Sequence, residues 1–522
     1  MARFIVCLKG VLARLSVVAV VLMLTACERP KATDGQVLHR GNGGEPGTLN
    51  PLLADDVHAF RVLSDLYEGL VTIDVQGNTV PGVARSWEQS EDGLLWRFKL
   101  RESARWSDGS RVVADDFVRS VQRLASGDFD SPYEALLAPI DNFTAINLGK
   151  AVPASLGVRA ASDDVVEFRL TQPTPYWPSI LTLAIALPTP PSDDLYNGAY
   201  QLVEARVNDV MRLRKNDAYW DAPNVAIDEV VYHSIEDPLV EYNRFVTGDL
   251  HITMNVPVDS MQQLQVERPD ELRIAPSLGL YYLAFDLTEA PTDQPDVRQA
   301  LTMSIDRREL TAFLGRGEQP AYGIVPNGML GYTPARYEWR DQPMQDRQQR
   351  ARRLLSNAGF DKEAPLSVTL VYDTGYLHEH VALLVKDFWE QLGSVQVSLE
   401  KREWQYFLAT RDQREQWDSM RFAWIGDYND PSTFLDIFLT GNEQNLPGYG
   451  SAKYDELLSG AAILSGEDRA HMLEEAERTL INDYAVAPLY FYTSKHLVHP
   501  RVSGFEPNLI DRHLSKYLVL AD

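Results

Sequence analysis

The residues with the clearest chemical potential in this chain lie in one run, Arg421-Phe-Ala423-Trp424-Ile425-Gly426-Asp427-Tyr428-Asn429-Asp430-Pro431. Arg421 offers a positive charge, Asp427 a negative one and Trp424 a flat apolar wall. A zwitterion such as a short peptide needs both signs. Met420, Phe422 and Trp424 alternate with Arg421 and Ala423, the period of a strand. The strand must end at Gly426, so Asp427 stands just past its carboxyl end, where open α/β sheets bind ligands. The same residues also read as a plain strand end followed by a turn-forming Asp-Tyr-Asn-Asp-Pro.

Other chemistry is poorly supported. The chain has no Walker loop, GxGxxG, GxSxG or HExxH motif, and Gly41-Asn-Gly-Gly44 lacks the spacing of a phosphate loop. His378 and His380 flank Glu379 at a helix start, so the two rings point to different sides, and two ligands are too few for a metal. Asp427, Asn429 and Asp430 lack calcium-loop spacing. No metal and no cofactor are expected. Paired carboxylates for glycoside hydrolysis stay open, because 74 acidic residues produce pairs by chance. The formal charge of −25 argues against a nucleic-acid partner.

The elements that must hold these residues form several domains, since 522 residues exceed one core. Periodicity predicts helices over 59–70, 114–125, 295–313 and 347–358. Strands are expected over 96–100, 165–170, 198–202, 210–213 and 228–233. A strand over 366–372, a helix whose apolar face runs from Val381 to Leu392 and a strand over 395–399 imply a parallel pair. The proline-rich stretch 173–191 marks a domain boundary. The first 26 residues are a targeting segment, with Arg3, Lys9 and Arg14 before a short apolar run at 15–24. Leu24-Thr25-Ala26-Cys27 resembles a bacterial lipobox. Cleavage there would leave a lipidated Cys27 and remove Cys7, so no internal disulfide is expected. Glu28 is not the Asp that retains such lipoproteins in the inner membrane, which leaves the final membrane open.

Trp424-Ile-Gly-Asp427-Tyr-Asn429-Asp-Pro431 resembles a motif of the periplasmic oligopeptide-binding proteins, the large peptide receptors of ABC importers. Other segments are similar to the family in family order. They include Leu49-Asn-Pro51, Asp65-Leu-Tyr-Glu-Gly-Leu70, Trp106-Ser-Asp-Gly109, Ala114-Asp-Asp-Phe117, Ser131-Pro-Tyr133 and Asn197-Gly-Ala-Tyr200. Residues 216–220, Val297-Arg-Gln-Ala-Leu301, Ile305-Asp-Arg307, 403–411 and Ala487-Pro-Leu-Tyr-Phe-Tyr492 continue the series, so the likeness covers the mature chain.

The resemblance implies an α/β Venus flytrap, of the periplasmic-binding-protein class with an extra domain, built from mixed sheets in three domains. Domain I would combine 28–67, 191–278 and 495–522; domain II would be 68–190; domain III, 279–494, would close over the ligand. It further implies that Asp427 meets a peptide ammonium, and that Arg421, Arg411 and His378 meet peptide carboxylates. The main chain near Val57 and from Ala423 to Ile425 would flank the peptide as two strands, a backbone-reading mode that leaves side chains loosely specified. Tyr133, Trp404, Trp424 and Asn255 would line pockets. Glu289 falls where well-known members carry a lysine, and would repel a peptide carboxylate. Arg411 and Arg421 lie ten apart with one residue inserted, and the segment 187–197 is short.

The implied protein is a monomeric receptor, in the periplasm or at the cell surface and anchored through Cys27. It would pass short peptides to the permease subunits of an ABC importer and catalyse nothing. A receptor for murein or signalling peptides is the alternative. A secreted hydrolase is the reading from another class, and no nucleophile-and-base constellation supports it.

Overall fold

The computed structural model describes residues 36–128, 131–192, 194–404, 406–407 and 417–521. The targeting segment, Cys27 and Arg411 lie outside the described residues.

Three sheets carry the architecture, an α/β arrangement of two lobes. In the first sheet Val37–Gly41 runs parallel to Glu229–His233, which pairs antiparallel with Val210–Lys215, and that with Tyr200–Arg206. The second is an antiparallel set in the order Ala84–Gln89, Leu95–Leu100, Val165–Arg169, Val158–Ser162. These two sheets share one apolar core, which contains Leu38 and Val230 from the first and Phe98 and Val166 from the second. The third sheet has the order Gln319–Pro320, Val486–Leu497, Leu272–Phe285, Ser419–Ile425, Leu366–Asp373, Val395–Arg402, and its own core. Burying apolar faces in two separate cores is what makes two lobes.

Two long strands join the lobes. Leu272 and Leu497 pack with Phe245, Leu250 and Leu264 in a small cluster of the first lobe. Further along the same strands, Leu280 to Phe285 and Val486 to Phe491 belong to the core of the second. The pairing between the strands breaks register between Pro276 and Leu280. The boundaries expected at 278/279 and 494/495 fall inside this pair. The helix Tyr376–Glu390 connects Leu366–Asp373 to Val395–Arg402, and the two strands are parallel, as the spacing predicts.

Local signals account for most departures. The helix expected over 59–70 is Val57–Leu66, because Asp56 caps it by accepting from Ala59 N at 2.7 Å. Glu68 then leaves the helix to bond Trp220 Nε1 at 2.6 Å and Lys516 Nζ at 2.8 Å. The single helix expected over 295–313 is two, Pro295–Ser304 and Arg307–Leu314. Asp306 caps the second, accepting from Arg308 N and Glu309 N, and this breaks the run.

Candidate ligand-binding cleft

The strand Ser419–Ile425 pairs antiparallel with Leu272–Phe285 along its whole length. On its other edge it registers with Leu366–Asp373 only at Leu370–Ser419 and Val371–Met420. From Arg421 to Ile425 that edge has no described strand beside it. Met420 and Phe422 are buried and Trp424 packs on the same core, while Arg421, Ala423 and Ile425 take the other face. Gly426 N donates to Leu278 O at 2.7 Å, and Asp427 N to Thr433 Oγ1 at 3.1 Å. These two bonds place Asp427 beyond the strand end. A Cβ on Gly426 would run into the side chains of Thr433 and Phe434, so a larger residue cannot make this approach.

Asp427 opens into a cavity of about 370 Å³ between the lobes. Val57, Phe60, Arg61 and Ser64 line it from one face of their helix, at i, i+3, i+4 and i+7. Tyr133 and Thr182 close another side, Ile425 to Asn429 come from the second lobe, and 509–514 supply the floor. The Asp427 side chain is exposed to this space, yet the walls crowd it enough that burial raises its carboxyl above the usual range. Among the described residues no side chain donates to it. Tyr133 packs against Phe60, ring centroids 5.7 Å apart. Burial first, and then the Asp427 charge, push its phenol up.

Arg421 and His378 come together, but away from this cavity. Arg421 Nη1 lies 3.1 Å from Asp373 Oδ1, and Arg421 Nη2 donates to His378 Nε2 at 2.7 Å. Arginine can only donate, so the His378 proton sits on Nδ1, which faces Tyr281 Oη at 3.2 Å. Burial, and then the Arg421 charge, lower the imidazole to about 4, so it is neutral at pH 7. The cation of Arg421 is therefore answered by Asp373.

The other expected residues divide. Val57 and Ile425 line the cavity with Asp427 and Tyr133. Val57 begins a helix, not a flanking strand, because Asp56 caps there. Trp424 is no wall of the cavity, since alternation puts it on the core side with Met420 and Phe422; Phe60, Tyr133 and Leu278 form the apolar wall instead. Ala423 lies on the cleft face without lining the cavity. Asn255 is half-buried elsewhere, its main-chain N held by Glu241 Oε2 at 2.9 Å. Trp404 is 45% exposed and stacks on Phe407, ring centroids 5.9 Å apart, also outside the cavity. Glu289 is exposed in the loop after Phe285. Gly279 pairs with Ile425 at the cleft end of that strand and Phe285 with Ser419 at the far end, so Glu289 follows the end away from the cleft and does not line the cavity.

The cavity also holds charges that periodicity did not single out. Asp511, at φ 51°, bonds His496 Nε2 at 2.7 Å and His513 Nε2 at 3.2 Å and lies 3.8 Å from Arg61. Burial would raise its carboxyl, but His496, His513 and Arg61 hold it well below the usual range. His496, Asp511 and His513 are close enough to hold a metal ion, although Arg61 and the two rings already answer the carboxylate. Arg512 Nη1 donates to Thr182 O at 3.0 Å and Nη2 to Ser64 Oγ at 3.1 Å. Burial lowers it to about 10.

Residues 78–445 match the bacterial extracellular solute-binding proteins, family 5, middle region. The periplasmic oligopeptide-binding protein OppA of Salmonella typhimurium is 36% identical over 92% of this chain and 92% of its own. The periplasmic murein peptide-binding protein MppA of Escherichia coli is 34% identical over 92% of this chain and 93% of its own. A structure of MppA titled as the unliganded open form superposes with a TM-score of 0.88 at 33% identity, covering 94% of this chain and 98% of that one. Haemophilus influenzae OppA in complex with the peptide RPPGFSPFR gives 0.71 at 31% identity, covering 94% and 99%. The chain belongs to the family 5 bacterial extracellular solute-binding proteins, and is a binding protein, not an enzyme.

Proposed function

We propose that this protein is a periplasmic receptor that binds short peptides and delivers them to an ABC importer. The observation that carries the reading is Asp427, a carboxylate crowded by cleft walls, without a described partner, at the end of a strand whose outer edge is open. An extended peptide can pair with that edge while Asp427 takes its ammonium, and this fits relatives named for binding oligopeptides and murein peptides. We assign domain I to 28–67, 191–278 and 495–522, domain II to 68–190 and domain III to 279–494. The strands Leu272–Phe285 and Val486–Leu497 act as the hinge. The chain works as a monomer, tethered through lipid on Cys27, and hands its ligand to permease subunits. No helix among the described residues is long and apolar enough to cross a membrane.

Mass spectrometry of ligand released by denaturing freshly purified protein tests the reading. Short peptides with free amino ends are expected, and non-protein residues in them would identify murein fragments. Recovery of amino-blocked or non-peptide ligands alone overturns it. For the tether, Cys27→Ser should abolish partitioning into the detergent phase; unchanged partitioning sinks the lipid anchor.

A further inference from the structure

We propose that Arg512, and not Arg421, receives the carboxylate of the ligand, so that the cavity binds a short zwitterion end to end between Asp427 and Arg512. This rests on the peptide-binding reading above and names the ligand's second contact. Among the described residues, the charged side chains lining the cavity are Arg61, Asp427, Asp511 and Arg512. Arg61 and Asp511 face each other at 3.8 Å, and Asp511 also holds His496 and His513. That leaves one anion and one cation, Asp427 and Arg512, whose charge no described side chain answers.

Arg512 is held as a carboxylate receptor would be. One hydrogen bond from each terminal nitrogen fixes the guanidinium plane, to Thr182 O and Ser64 Oγ. Both partners are neutral, and a guanidinium carries five N–H groups, so donors remain for a forked bond to a carboxylate. A half-buried cation without an acid is costly, and desolvation alone pulls Arg512 down. A strap between Thr182 and Ser64 needs only a neutral donor. The charge is accounted for by a ligand that brings its own anion. Arg421 is the opposite case, since Asp373 lies 3.1 Å away and a second carboxylate would be repelled.

The test is calorimetry with trialanine and its C-terminal amide, on wild type, Arg512→Gln, Arg512→Lys and Arg421→Gln. Wild type should bind the free peptide at least about tenfold more tightly than the amide. In Arg512→Gln the two should bind alike, Arg512→Lys should restore part of the difference, and Arg421→Gln should keep it whole. A free-to-amide ratio that survives in Arg512→Gln and Arg512→Lys, or that disappears in Arg421→Gln, overturns the assignment and leaves the peptide reading standing. If wild type binds neither form, the peptide reading falls, and the assignment with it. Melting temperature guards against misfolding, and the Lys variant keeps the test decisive if Gln loosens the Thr182–Ser64 strap.

Discussion

Arg421 and Asp373 form a buried ion pair, 3.1 Å apart, with side chains only 11% and 10% exposed. Removing the acid leaves Arg421 charged, with His378 and Tyr281 as neutral neighbours. Asp373→Asn should therefore destabilise the protein by about 1–3 kcal/mol, since an uncompensated buried group loses its partner. It should also create a carboxylate site at Arg421, so longer free peptides gain affinity over their amides. Thermal unfolding and calorimetry with a peptide length series check both, and an unchanged length preference would show that Arg421 stays out of reach of ligand.

Asp427→Asn should weaken peptides with free amino ends by about 2–5 kcal/mol, roughly thirty-fold to several thousand-fold, because a desolvated ammonium loses its counter-charge. N-acetylated peptides, already weak, should change little. Burial raises the Asp427 carboxyl in the folded protein. Its contribution to stability is therefore complete below the unfolded value and is lost as pH rises through the folded one. At pH 7 the ligand-free Asn variant should melt no lower than wild type. Equal loss of free and acetylated peptides would remove Asp427 as the ammonium partner.

Acid should unfold the first lobe through its histidines. Arg244 Nη2 donates to His233 Nδ1 at 3.3 Å, so His233 carries its proton on Nε2 and gives it to His39 Nδ1 at 3.0 Å. The His39 main-chain N donates to His251 Nδ1 at 3.0 Å. Each ring is thus an acceptor where a second proton would have to go. Burial is the main cause lowering all three, His233 to about 3 and His251 to about 4, with Arg244 and Arg212 adding to it at His233 and His39. Asp249 opposes them at both, and Glu229 at His39. The unfolded chain takes up these protons from about pH 6.5 downward, so stability falls as pH drops from there toward 3. His233, 6% exposed, is worth on the order of 4 kcal/mol over that window. Urea unfolding at pH 7, 5.5 and 4 should show the loss, and His233→Gln should flatten it.

Glu477 offers a control in the core of the second lobe, fully buried and away from the cleft. Its oxygens accept from Ile324 N, Val325 N, Ala335 N and Tyr332 Oη, each at 2.8 Å. A Gln amide cannot accept on both sides, so two donors lose their partner. Glu477→Gln should cost about 2–4 kcal/mol, measured by denaturant unfolding, with peptide affinity at saturating folded protein unchanged. A large affinity change would tie this hub to the cleft.

The strand that ends just before Asp427 was legible because its signals are local: period-2 alternation from Met420 to Trp424, then Gly426-Asp427. The parallel pair around the helix Tyr376–Glu390 was legible because a crossover forces it. The long strands Leu272–Phe285 and Val486–Leu497 were not. Each passes from one core to another part-way, so no single burial period runs along it.

The chain alone therefore determined which residues alternate and that Asp427 stands past a strand end, since each depends on neighbours a few positions away. Tertiary structure decided which charges stay free. Arg421 looked available from its spacing to Asp427, and Asp373 on a neighbouring strand answers it. Arg512 carried no periodic signal, and its contacts lie 330 and 448 residues away at Thr182 and Ser64. Whether a charge is paired depends on distances in space, and those exist only once the lobes have folded.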